Sequence, residues 1–327
     1  MTTPVAAGPA ASRASVAFVL ITVVLDVLAI GLVIPVLPKL VEQFMAGDTS
    51  RAAMVFGAMS AVWALMQFVF SPILGALSDR FGRRPVLLLS NLGLGLDYML
   101  MALAPSLAWL FLGRVLSGIA AATFSTAAAY IADVTPAEKR GAAIGKIGAM
   151  FGVGFVLGPA VGGVLGEIDP RLPFWLAAGL SLANAAYGYF VLPESLRPEH
   201  RAPFTVKRAS PLGALHLLRS EPRLFGLSGV LFLYHLAHAA LPAVFVLFVG
   251  YRFGWGPKEV GLVLAVVGVS SAIVQGYLVR PAIARFGART TLLIGLVAGA
   301  QGFLAQGLAP TGLLYVIGIP LFTLWGL

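Results

Sequence analysis

"GALSDRFGRRPV", residues 75–86, gathers Asp79, Arg80, Arg83 and Arg84 between two long stretches that hold almost no charge. Residues 52–74 contain none, and residues 85–104 contain only Asp97. Across 327 residues, 11% are charged and 59% are hydrophobic, whereas a soluble chain charges roughly a quarter of its positions. Such a chain cannot cover itself against water. Its apolar runs match the ~20 residues with which a helix crosses about 30 Å of hydrocarbon. The fold class expected is therefore an all-α polytopic membrane protein, with the quoted stretch as a short loop between two spans.

Apolar runs and their Pro, Gly and charged boundaries predict spans near 16–38, 52–74, 85–104, 107–131, 141–165, 172–192, 223–249, 259–279 and 290–309, with a tenth beginning at 311. Residues 1–15 carry one charge, Arg13, and lead into a run too long for a signal-peptide core, so the first span reads as uncleaved. If the N-terminus is cytoplasmic, fifteen of the 22 Lys and Arg residues fall inside, five fall outside (Lys39, Arg51, Arg171, Arg252 and Lys258), and Arg114 and Lys146 lie within spans. That asymmetry predicts the orientation. It also explains the net charge of +9 without nucleic acid, which would need a basic face on a soluble module. With no cysteine in the chain, disulfides, thiolate metal sites and cysteine nucleophiles are excluded.

The stretch "SDRFGRRPVLLL" at 78–89 returns 205 positions later as "IARFGARTTLLI" at 283–294, with Arg80, Phe81, Gly82, Arg84, Leu87 and Leu88 matched by Arg285, Phe286, Gly287, Arg289, Leu292 and Leu293. Between the copies, residues 193–222 are polar and contain Pro193, Pro198, Pro203 and Pro211. The division expected is a six-helix half over 1–192, a cytoplasmic linker over 193–222 and a partial second half over 223–327. Paired halves with a site near the midplane are the plan of many secondary transporters. About ten of twelve spans are accounted for, so the chain reads as part of a twelve-helix protein.

Three groups of residues carry the functional reading. Gly75, Asp79, Arg80, Gly82, Arg83 and Arg84 combine a flexible turn, a carboxylate and basic residues in a fixed order, which suits a compact network at a helix end. Asp133 closes the fourth span on the same side and is placed to join it. In the fifth span, Gly145, Gly154, Gly158, Pro159, Gly162 and Gly163 follow a spacing of eight, then three, then Pro, then two, and Gly154, Gly158 and Gly162 fall on one helical stripe that lets helices approach closely. "GVGFVLG" is no dinucleotide turn, because apolar helix surrounds it and no strand precedes it.

The third group comprises ionisable and polar residues inside the bilayer, which are costly there and read as functional. Asp26 lies midway through the first span with no cation in its own helix, and burial disfavours the charged form of a carboxylate. Proton or cation binding is expected of it. Asp97 and Arg114 flank the turn Pro105-Ser106 at nearly equal distances, so both should lie roughly 13 Å below the outer end, where an ion pair is expected. His235 and His238 share a face of the seventh span, and Gln275 lies in the eighth. Lys146 is near enough to the inner end of its span to snorkel.

With these residues in view, the chain resembles the proton-coupled drug antiporters of the major facilitator superfamily, and within them the tetracycline exporters. The resemblance rests on "DRFGRRPVLLLS" at 79–90, "LDYML" at 96–100, "GRVLSGI" at 113–119, "YIADVT" at 130–135, "FWLAAGLSLAN" at 174–184 and "RFGW" at 252–255. It implies that Asp26 and Asp97 belong to the transport path, that Arg114 is coupled to the proton, and that Asp79, Arg83 and Asp133 form the gate. It also implies that the fifth-span glycines are those typical of exporters. The chain departs from the pattern at Ala240, Ser271 and Gly299.

The function expected is a bacterial inner-membrane antiporter that admits protons and exports an amphipathic drug, with tetracycline first and another antibiotic or a metabolite second. It needs no cofactor beyond the proton gradient, although the drug can arrive as a divalent-metal chelate. It binds no metal of its own and is no enzyme. A membrane hydrolase would need a buried nucleophile beside a base or metal ligands, and no such grouping is present around His235 and His238. A passive channel is disfavoured by the repeated halves.

Overall fold

The computed structural model describes residues 9–121, 123–211 and 222–327, without the side chains of 9–15, 124, 207–208, 222–224, 227, 238 and 240–243. All regular structure among these residues is helical. The elements are α1 (Pro9–Val33), α2 (Leu37–Phe44), α3 (Thr49–Phe81), α4 (Arg83–Ala102), α5 (Leu107–Ala120), α6 (Thr123–Val134), α7 (Ala137–Ile168), α8 (Leu172–Val191) and the short α9 (Val206–Ala209). They continue as α10 (Pro222–Phe253), α11 (Pro257–Ile273), α12 (Val279–Phe286), α13 (Ala288–Leu308), α14 (Gly312–Ile317) and α15 (Ile319–Thr323). Among the described residues, eight helical stretches are long and apolar enough to cross a membrane, and shorter apolar helices occupy Ser228–Ala237, Val244–Phe253 and Gly312–Gly326.

The expected spans are all present as helices, with interruptions of three kinds. The first span breaks after Val33 and resumes at Leu37, because Pro35 offers no backbone N–H and Pro38 suits only the first turn of a new helix. The eighth loosens into a π-helical turn at Val274–Leu278, which carries Gln275. The fourth divides between α5 and α6; nothing in its local sequence explains that break.

Large side chains such as Phe190, Phe232 and Leu308 stand exposed on the outside of the bundle, as lipid requires and water would penalise. Inside, Leu32, Met59, Met101, Leu110 and Phe174 form one buried cluster, and Phe245, Val249, Val260, Tyr315 and Ile319 form another. A third lies nearer the 78–84 loop and holds Phe18, Val19, Leu87, Tyr130 and Ile147.

A glycine seam joins α1, α7 and α11. A methyl group on Gly158 would sit 2.7 Å from the Gly31 Cα, one on Gly31 would sit 2.8 Å from the Pro159 Cδ, and one on Gly163 would sit 3.0 Å from the Gly261 Cα. Gly154 and Gly162 press equally closely on the backbone of Val24, Leu28 and Leu32. At these separations two backbones touch, which only small residues permit. The other end of α7 differs, for a methyl on Gly141, Gly145, Gly148 or Gly152 would meet nothing within 4 Å among the described residues. Gly145, nine residues before Gly154, lies on the opposite face of α7 and takes no part in the seam. Gly31 and Gly261, which the sequence did not single out, supply the facing surfaces.

Candidate functional site

The loop between α3 and α4 turns at Gly82, whose φ of +111° favours a residue without Cβ. This brings Arg83 under the end of α3. Its guanidinium pairs with the Asp79 carboxylate, donates from Nη1 to Ser78 Oγ at 3.1 Å, and donates from Nε to Asp133 Oδ2 at 3.1 Å. Three elements therefore meet on one arginine. Arg84 reaches away from them, donating to the Tyr189 carbonyl and lying over the Tyr189 ring. Arg80 lies over its own neighbour Phe81, and Gly75 faces open space.

About midway through the first span, Asp26 is buried among polar groups from α4 and α8. Asn184 Nδ2 donates to Asp26 Oδ1 at 3.1 Å. Asn91, with its amide turned to satisfy both ends, donates to the two carboxylate oxygens at 2.9 and 3.1 Å and accepts from Asn184 Nδ2 at 3.2 Å. Thr22 completes the group by donating its hydroxyl to Asn184 Oδ1 at 3.2 Å. Three amide contacts on one carboxylate leave it well satisfied. The Asn residues carry no charge and stand in separate spans, so no local pattern marked them.

Asp97 is buried as deeply, yet among the described residues neither of its oxygens has a hydrogen bond of good geometry. The expected ion pair with Arg114 does not form. Asp97 lies against Gly113, the residue before Arg114, while the Arg114 guanidinium turns to the Trp63 ring, 5.0 Å from its centroid, and its Nε is unpartnered. Equal depth was satisfied; facing was not. A helix turns 100° per residue, so the sequence fixes height along the axis more readily than the direction in which a side chain points.

His235 stands exposed beside Tyr234, whose ring stacks 4.6 Å from that of Trp325. Gln275 is exposed next to Gly326. The side chains of His238 and Ala240 lie outside the described residues. Among the described residues, no group of three His, Asp or Glu side chains is placed to hold a metal ion.

Residues 19–327 match the family model described as the Major Facilitator Superfamily. The chain is 42% identical to the class C tetracycline resistance protein of Escherichia coli over 89% of its own length and 73% of that protein's. It is 39% identical to the class B protein of the same organism, covering 89% and 72% respectively. Among solved structures it is similar to the human organic anion transporter MFSD10 (TETRAN), with a TM-score of 0.72 and 26% identity over 96% of this chain and 82% of that one.

Proposed function

The chain belongs to the major facilitator superfamily, and we propose that within it the protein is a proton-coupled antiporter exporting an amphipathic drug of the tetracycline class. The observation that carries this reading is the 42% identity, over 89% of the chain, to a tetracycline resistance protein. The geometry supplies roles for particular residues. Asp26 is the proton carrier, a carboxylate in mid-span whose neighbours are neutral amides. Asp97 and Arg114, unmatched and deeply buried, are the groups whose bonding changes when drug or proton arrives. Asp79, Arg83 and Asp133 form the gate.

Alternating access follows from the seam. Where α1, α7 and α11 touch through glycine, backbone meets backbone, and small residues there let the packed units shift against one another. The open stretch of α7 at Gly141–Gly152 faces the end of the bundle that bears the 78–84 loop. With Lys and Arg concentrated at that end, it is the cytoplasmic one.

The test is made in everted membrane vesicles holding an imposed pH gradient. Adding tetracycline should partly collapse the gradient, and drug should accumulate inside. Collapse by another antibiotic but not by tetracycline would keep the antiporter and change its substrate. No collapse by any drug exported from intact cells would overturn proton coupling.

A further inference from the structure

The gating loop is held by a residue that the family reading did not assign. Helix α4 begins with free backbone N–H groups, as every helix does, and Gly82 at its cap has no side chain to meet them. Glu194, just after the sixth span, meets them instead. Its Oε1 accepts the N–H of Arg83 at 2.8 Å and that of Leu196 at 3.0 Å, and its Oε2 accepts the N–H of Arg84 at 3.2 Å. The carboxylate lies so close to Gly82 that a methyl group there would come within 2.6 Å of Glu194 Cδ. A negative charge at that end also complements the helix dipole.

The neighbours of Glu194 fasten to the same place. Ser195 Oγ donates to Asp133 Oδ2 at 3.1 Å, the oxygen that also receives Arg83 Nε. The Tyr130 hydroxyl donates to the Pro193 carbonyl at 2.9 Å, and the Ala202 N–H donates to the Asp79 carbonyl at 3.0 Å. The second copy of the loop provides a comparison within the molecule. Gly287 has the same sign of φ, +76°, but a methyl there would meet nothing within 4 Å among the described residues, and Arg285 and Arg289 stand exposed. The turn is thus a property of the repeated sequence.

We infer that Glu194 is a positioning residue for the gate, fixing the backbone of Arg83 so that its guanidinium reaches Asp79 and Asp133 together. The start of the linker is therefore a working part of the gate. The role assigned to Glu194 rests on the reading of that loop as a gate, but the clasp itself is tested separately.

The protein has no cysteine, so a Ser78→Cys reporter, at a site only 1% exposed, gives a single maleimide target beneath Arg83. In the full chain carrying this reporter, Glu194→Gln should speed labelling at least roughly threefold. Without the reporter it should lower the maximal rate of tetracycline export roughly three- to tenfold, as expected for a lost helix cap, with KM within about twofold. Glu194→Asp should recover part of the rate. Gly82→Ala, which displaces the carboxylate, should speed labelling as Glu194→Gln does, and it replaces that variant if Glu194→Gln fails to accumulate in the membrane. Unchanged labelling in Glu194→Gln, or in Gly82→Ala where that variant replaces it, would overturn the clasp. Faster labelling with an unchanged export rate would overturn the positioning role, and a raised KM at full rate would do the same. If the parent protein exports no drug, the drug reading fails while the labelling still decides whether the clasp exists.

Discussion

Asp26 and Asp97 are both carboxylates buried in the middle of the bundle, 6% and 1% exposed, and they are treated in opposite ways. Around Asp26, amides from two other spans converge, and a threonine hydroxyl holds one of those amides in turn. Around Asp97 no amide converges among the described residues, and the guanidinium of Arg114 lies over an indole ring. A buried polar group left unmet costs on the order of 1–3 kcal/mol, more if charged, so the second arrangement persists only where the rest of the fold imposes it. The comparison separates a carboxylate held by amides from other spans from one set against backbone and a neighbouring helix.

The sharpest way to break the comparison is Asp26→Asn. The amide keeps the shape but cannot carry a proton, and gradient-driven drug uptake into everted vesicles should fall at least roughly a hundredfold, past the ~10²–10⁴-fold range's lower edge for losing a proton-transfer group. Membrane insertion, followed by the amount of protein in the vesicles, should stay normal. Normal uptake by this variant would remove Asp26 from the path.

Next in size is Arg114→Lys. A lysine keeps the charge but not the planar face that lies on Trp63, and the two side chains are not equivalent at a stacked site. Uptake should drop about tenfold, matching the loss of a cation–π contact of about 1–2 kcal/mol. Trp63→Leu should produce the same defect; if it leaves uptake intact, the ring is only packing.

The Asp26 shell itself should respond less. Asn184→Leu removes one donor from the carboxylate and leaves the Asn91 contacts, so a three- to tenfold fall in uptake is expected from losing one hydrogen bond of about 0.5–1.5 kcal/mol among three. Thr22→Val, one step further out, should change uptake less than about twofold. If Thr22→Val were the more damaging of the two, the outward ranking of this shell would be wrong.

Much of the fold was legible because its signals are local. The apolar lengths set the spans, Gly82 set a turn, and Asp79, Arg83 and Asp133 sat at neighbouring helix ends, where charge can collect. Asp26 and Asp97 were conspicuous as charges in apolar helices. Their partners were not: Asn91 and Asn184 look like ordinary polar interruptions until α4 and α8 bring them to α1, and Glu194 looks like one more linker charge.

The sequence by itself determined that the chain crosses a membrane many times, in which order its spans run, how its loop motif repeats and which of its residues carry unusual burial costs. These follow from composition and spacing, which act through free energies of transfer and a fixed rise per residue. Only the tertiary structure decided that Arg114 faces Trp63 rather than Asp97, that Gly158 meets Gly31 and Gly163 meets Gly261, and that Glu194 caps a helix 110 residues before it. Each of those outcomes depends on how helices rotate about their own axes and where they cross. That is set by the packing of all their neighbours at once, and no single segment encodes it.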